Sequence, residues 1–303
     1  DFDELLLSEE KPFFNRALKG RYPPASSIKP AIAMYGIEEG LIDWDFSIFD
    51  EGFFTLPEDG RIYRDWKEGG HGNTNLFKAI TQSSNTYFFD LAYRSDINQL
   101  NKHLSSLGFG GKACIDCFEE DKVFVPEPSW KMNKHNFGWF KGDTVNMGVG
   151  QGYLVSTPIQ LAKYAYIMAN KGKFSDLSLK KDLVKSEKSI EFNKFSNDDW
   201  FKLHESMVNV IEGNTGTARR LRERKNYIVA AKTGTAELVS GDNREQYSET
   251  RLDDSLRDHA LIIAFGPMPN PRYAVSVVVE NGESGGSVAG PVAISVLNSL
   301  IQE

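Results

Sequence analysis

Three late segments constrain the fold most: Tyr227 to Leu238, Ala260 to Phe265 and Tyr273 to Glu280. They are rich in β-branched residues and bounded by Gly, Pro and Asn, as strands are. Pro267-Met268-Pro269-Asn270-Pro271 makes a short connection between the second and third, so those two are expected to pair antiparallel. Ahead of them the pattern is helical. A helix is expected from about Ser26 through Tyr35, apolar nearly all round at Ala31-Ile32-Ala33-Met34 and therefore buried. Further helices are expected at about 74–82, after Asn85, over 97–108 with Gly108 as its stop, over 156–172 and over 198–212. In the fourth of these, Ser156-Thr157-Pro158 offers an N-cap and Gly172 a C-cap. A closing helix covers about 291–301. Residues 1–24 read as irregular, 41–73 as short strands and loops, and the Lys-rich 171–199 as surface loop and short strand. Helices first and strands late indicate an α+β class: an antiparallel sheet backed by helices, with an all-helical subdomain inserted within about 37–200.

The 303 residues, 40% of them hydrophobic, suffice for a sizeable core in one domain with a subdomain. A formal net charge of −7 argues against a nucleic-acid partner. No apolar run is long enough to span a bilayer, and Asp1-Phe2-Asp3-Glu4 does not open a signal peptide. The native protein is then either soluble inside the cell or a trimmed part of something larger.

Three polar motifs interrupt this framework. Ser26-Ser27-Ile28-Lys29 opens the buried helix. Residues three apart share a helix face, so the Ser26 hydroxyl and the Lys29 amine can meet. The helix N-terminus favours negative charge near Ser26. A buried lysine loses proton affinity and can accept the proton of a serine. Ser83-Ser84-Asn85 falls between two helices, where a hydroxyl and a carboxamide two residues apart can point the same way. Lys232-Thr233-Gly234-Thr235 lies inside an apolar strand. Gly there marks a close approach of backbone or ligand, and a Lys flanked by hydroxyls suits a carboxylate. Alone, each is as well explained by a helix cap, a polar loop or a strand-end turn. In this order they match the S-x-x-K, S-D-N and K-T-G signature of β-lactamases and penicillin-binding proteins.

Other segments extend the likeness over nearly the whole chain. Asn15-Arg16-Ala17 through Tyr22-Pro23-Pro24-Ala25-Ser26 resembles the approach to the nucleophile in high-molecular-mass class B penicillin-binding proteins. Tyr63-Arg64-Asp65-Trp66-Lys67 with Gly70-His71-Gly72 resembles the elongation-specific branch, penicillin-binding protein 2. So do Gly150-Gln151-Gly152-Tyr153 with Thr157-Pro158-Ile159-Gln160, and Leu256-Arg257-Asp258-His259. Two departures stand out: Ala25 replaces the usual Gly before the nucleophile, and Asn85 stands where relatives often have Asp. Neither is expected to alter the chemistry.

The resemblance implies a penicillin-binding, serine β-lactamase-like transpeptidase fold spanning 1–303. It implies that Ser26 attacks a D-Ala-D-Ala stem peptide and that Lys29 takes its proton. The N–H groups of Ser26 and Thr235 would form an oxyanion hole. Ser83 and Lys232 would serve the leaving group, and Asn85 would hold a substrate amide. Ser84, Thr233, Gly234 and Thr235 would line the substrate and β-lactam site. No cofactor is implied. The implied partners are peptidoglycan stem peptides, β-lactam antibiotics and a SEDS-type glycosyltransferase. The implied location is the periplasmic face of the inner membrane, with an anchor and pedestal outside this chain.

Branch members can carry zinc near Asp50, Asp65 and His71, completed by a Cys where this chain has Ser84. A structural Asp–His network with no metal is expected instead. Cys114 and Cys117 are compatible with a redox motif, half a zinc site or a tight disulfide, and are read here as incidental turn residues. Rival readings are a D-Ala carboxypeptidase, a non-catalytic β-lactam sensor and a β-lactamase. The last needs a Glu-activated water, and Glu205-x-x-x-Asn209 fits that motif only superficially, on the helix leading to Gly213.

Overall fold

The computed structural model describes residues 2–8, 10–183, 186–238 and 256–301. The helices are α1 (Phe2–Leu7), α2 (Arg16–Lys19), α3 (Lys29–Glu38), α4 (Leu76–Gln82), α5 (Asn85–Arg94), α6 (Ile97–Ser106), α7 (Pro128–His135), α8 (Lys141–Gly148), α9 (Pro158–Ala169), α10 (Asn197–Glu212) and α11 (Gly290–Ile301). The strands are β1 (Ser47–Asp50), β2 (Phe53–Thr55), β3 (Ile62–Arg64), β4 (Gly72–Asn75), β5 (Lys173–Phe174), β6 (Lys188–Ser189), β7 (Ala230–Ala236), β8 (His259–Gly266) and β9 (Tyr273–Val279).

The late apolar segments form one antiparallel sheet in the order β7-β8-β9, with Lys232 opposite Ile263 and Ile263 opposite Ser276. Alternation along the strands assigns two cores. Leu261, Ile263 and Phe265 join the large core with α3, α5, α9 and α10. Ala260, Ile262 and Ala264 join a second core with Ala293, Ile294 and Leu297 of α11. β8 is therefore covered on both faces, which holds β7 beside it on a rigid support.

The α+β reading stands, with differences of detail. Segment 37–200 is not all-helical as expected: besides helices α4 to α9 it holds three two-stranded ribbons, β1-β4, β2-β3 and β5-β6, and long connecting loops. The first 24 residues are not wholly irregular, because Asn15 caps α2 by accepting from Leu18 N. α9 starts as expected, with Thr157 and Gln160 in a reciprocal capping box.

The cysteines are not incidental. The Glu120 carboxylate accepts from the N–H groups of both Ala113 and Cys114, which turns the chain back on itself. Cys114 and Cys117 come within 5.4 Å at Cα and form a disulfide.

Candidate active site

Ser26 lies in a 3-10 turn, Ala25–Ile28, that runs directly into α3. Two bonds hold the turn: Ala25 N donates to Gly150 O at 2.8 Å, and Ser27 Oγ donates to Pro24 O at 2.6 Å. Ala25 takes a positive φ of 49°. Only Gly fits at 150, since a Cβ there would fall 2.2 Å from Ala25 O. The loop after α8 is thereby locked against the turn that carries Ser26.

Lys29 is fully buried one helical step further on. Its Nζ donates to Ser83 O at 2.7 Å and to Asn85 Oδ1 at 2.6 Å, and lies 3.4 Å from Ser83 Oγ. Two close acceptors use the two hydrogens of a neutral amine and leave its lone pair free. Burial pulls the pKa of Lys29 down to about 7, against the opposing pull of Asp65 and Asp50. Among the described residues no hydrogen bond links Lys29 Nζ to Ser26 Oγ; the bonds of Lys29 go to Ser83 and Asn85.

Lys232 reaches the same turn from the sheet side. It is fully buried, and its Nζ donates to Ser83 Oγ at 2.7 Å and to Thr233 O at 3.1 Å. Burial and the charge of Lys29 hold its pKa well below the usual lysine value. Ser83 thus sits between two lysines. It can do so because it ends α4 in the left-handed conformation, φ 60° and ψ 37°, and Ser84 immediately caps α5. Gly234 explains itself as the sequence required. A Cβ there would meet Ser27 N at 3.3 Å and Pro24 O at 3.2 Å, so its absence lets β7 close on the Ser26 turn. Thr235 is exposed at the strand end.

One residue assigned to the substrate site is not brought to it. Ser84 is fully buried, with Oγ 2.7 Å from Asp50 Oδ2 and accepting from Tyr87 N. Its role as the α5 cap turns it away from the cleft. Three residues at the site were not singled out from sequence. Trp66, 60% exposed, donates its indole N–H to Ser83 O at 3.2 Å. Gln151 donates from Nε2 to Thr235 O at 3.2 Å, across from β7. Thr217 Oγ1 lies 2.7 Å from Thr233 Oγ1. Trp66 and Gln151 fall within segments that carry the family resemblance, which was the available signal; Thr217 had none.

Behind the turn lies an acidic cluster. Asp50, Asp65 and His71 place possible ligand atoms within 4.8 Å of one another. His71 Nδ1 lies 2.7 Å from Asp50 Oδ2, and Gly52 N donates to Asp50 Oδ1 at 2.8 Å. Asp65 Oδ2 accepts from Asn85 N at 2.6 Å and Thr86 N at 3.0 Å, and its Oδ1 from Lys67 N at 3.1 Å. Burial raises the pKa of Asp50, but bonds from His71, Ser84 and Gly52 outweigh it and hold the carboxyl well below the usual range. Every carboxylate oxygen already has a donor, and the fourth group facing the cluster is a hydroxyl, a poor ligand for zinc. The donor set fits a hydrogen-bonded network better than a metal. One atom stays unmatched: the buried His71 Nε2.

The sequence matches the penicillin-binding protein transpeptidase domain family over residues 2–298. It is 39% identical over 298 residues to the peptidoglycan D,D-transpeptidase MrdA of Acinetobacter baumannii, covering 95% of this chain and 44% of that protein. It is 33% identical over 309 residues to MrdA of Escherichia coli, covering 99% and 49%. The chain thus spans about half the length of these relatives. Among solved structures, Pseudomonas aeruginosa PBP2 in complex with WCK 5153 superposes with a TM-score of 0.89 at 35% identity, covering 100% of this chain and 66% of that one. Helicobacter pylori PBP2, solved in complex with MreC, gives 0.85 at 30% identity, covering 99% and 54%. With Lys29 and Lys232 meeting at Ser83, β7 closing on the turn that carries Ser26, and these likenesses running the length of the chain, the protein belongs to the penicillin-binding protein transpeptidase domain family.

Proposed function

We propose that this chain is the catalytic unit of a peptidoglycan D,D-transpeptidase of cell-wall elongation. The observation that carries the reading is the convergence of Lys29 and Lys232 on Ser83, next to the Ser26 turn. Ser26 Oγ attacks the carbonyl of the penultimate D-Ala while Lys29 takes its proton. The N–H groups of Ser26 and Thr235 stabilise the tetrahedral oxyanion. The peptide C–N bond breaks, and terminal D-Ala leaves with a proton passed through Ser83, with Lys232 beside it. An amine of a second stem peptide then attacks the ester, forms the cross-link and frees Ser26. Asn85 orients the substrate amide, and Thr233 and Thr235 take the terminal carboxylate. A β-lactam acylates Ser26 in the same way, its ring amide opening instead of a peptide bond breaking.

Residues 1–303 act as one unit with 37–200 as its subdomain, without cofactor or metal. Its place is the outer face of the inner membrane beside a SEDS-type glycosyltransferase, as family likeness implies. None of the described helices is long and apolar enough to cross a membrane.

Against a β-lactamase reading, Glu205 is exposed on α10, with Asn209 Nδ2 bonded to Glu205 O. The test is mass spectrometry after benzylpenicillin. One stable adduct mapped to Ser26, lost in Ser26→Ala, is expected. Rapid release of hydrolysed drug would refute the reading in favour of a β-lactamase. D-Ala release from nascent peptidoglycan without cross-links would favour a carboxypeptidase.

A further inference from the structure

The loop after α10 joins two parts of the site. Three backbone bonds shape it: Gly213 N to Asn209 O, Gly216 N to Gly213 O, and Ala218 N to Val210 O. Gly216 is required, since a Cβ there would sit 2.3 Å from Val210 O. From the other side, a Cβ on Gly286 would fall 2.5 Å from Thr217 O, so the segment leading into α11 packs directly on the Thr217 backbone. In this fixed loop Thr215 Oγ1 accepts from Gln82 Nε2 at 3.1 Å, beside Ser83. Thr217 Oγ1 sits 2.7 Å from Thr233 Oγ1, beside Lys232.

We propose that Thr217 is a positioning residue of the carboxylate subsite, acting by orienting the Thr233 hydroxyl; this rests on the transpeptidase reading above. A hydroxyl has one hydrogen and two lone pairs. When Thr217 donates to Thr233, the Thr233 hydrogen is free and points away from Thr217. The bond it accepts polarises it and strengthens it as a donor. An arriving carboxylate, which only accepts, selects that orientation. Were Thr233 instead to donate to Thr217, its hydrogen would not be available to the carboxylate. Thr233 is nearly buried, so it has little water to replace the lost partner.

The test compares two thioester substrates ending in D-Ala-D-Ala-like groups, one with a free terminal carboxylate and one with that carboxylate as a methyl ester. Thr217→Val keeps the shape and removes the donor. It is expected to lower kcat/KM about tenfold for the free acid, the scale of one hydrogen bond to a charged group. Most of the loss should appear in KM, with the methyl ester unchanged within twofold. Thr217→Ser should restore the free-acid value. In a Thr233→Val background, Thr217→Val should have no further effect. Equal losses on both substrates, or an undiminished loss in the Thr233→Val background, would overturn the proposal. So would a Thr217→Val protein as active as wild type. If Thr217→Val does not fold, the Thr217→Ser and Thr217→Ala pair decides by the same free-acid against ester ratio. A wild-type protein whose Ser26 is never acylated would refute the transpeptidase reading itself, a different outcome.

Discussion

On one side of the Ser83-Ser84-Asn85 turn lie two buried lysines, Lys29 and Lys232; on the other lie two buried carboxylates, Asp50 and Asp65. Burial opposes charge at Lys29 and at Asp50, and it prevails only at Lys29. Asp50 receives His71, Ser84 and Gly52, and those bonds keep it ionised. Lys29 is fully buried, and burial outweighs the pull of Asp65 and Asp50, so its proton is held weakly. Whether the partners of the charged form outweigh burial thus separates a group that holds the fold from one free to exchange a proton. The turn belongs to both: Asn85 offers its side chain to Lys29 and its N–H to Asp65.

Breaking the lysine side should have the largest effect. Lys29→Met is expected to slow penicillin acylation about 10³-fold, the scale of a lost general base, with the unfolding midpoint moved less than by any change to Asp65. Stopped-flow acylation and urea melts on the same samples check both halves. Breaking the acid side should reverse the pattern. Asp65→Ala strands the N–H groups of Asn85 and Thr86, and a loss of about 3 kcal/mol is expected in urea unfolding.

pH sharpens the contrast. Only neutral Lys29 accepts a proton, so acylation should rise as pH increases through about 7 and fall up to tenfold per unit below it. Asp65 raises the pKa of Lys29, so in Asp65→Asn the rise should occur at lower pH. A profile that does not move would mean the two sides are uncoupled. The smallest effects belong to the network's fourth member. Ser84→Ala should cost about 1 kcal/mol with acylation within a fewfold of wild type. Dialysis against a chelator should change neither melting nor acylation, and stoichiometric zinc by elemental analysis would contradict the metal-free reading.

What could be read from sequence follows from which interactions are local. Caps and periodicity marked α6 and α9, and β-branched runs marked β7 to β9, because those signals lie within a few residues. α8 was invisible because Lys141-Gly142-Asp143-Thr144-Val145-Asn146-Met147-Gly148 carries two glycines, poor helix formers. Packing overrides that preference: a Cβ on Gly148 would fall 2.3 Å from Ala92 Cβ, and one on Gly142 2.4 Å from Tyr63 OH. Ser26, Lys29, Ser83, Asn85 and Lys232 were legible as motifs. That Ser84 faces Asp50 and not the cleft was not, because it depends on where β1 ends. The disulfide depended likewise on Glu120, whose carboxylate bends the loop.

Ala25 and Ser83 share an unusual backbone, each a non-glycine residue at positive φ, 49° and 60°. Such a conformation costs about 1 kcal/mol or more for a residue with a Cβ. A population selected only for thermal endurance would feel the same pull towards glycine at both positions. At 25 the change removes a methyl group and should pass unnoticed. At 83 it removes the hydroxyl between the two lysines, so heat-hardened descendants would keep the fold and lose the trade it was built for.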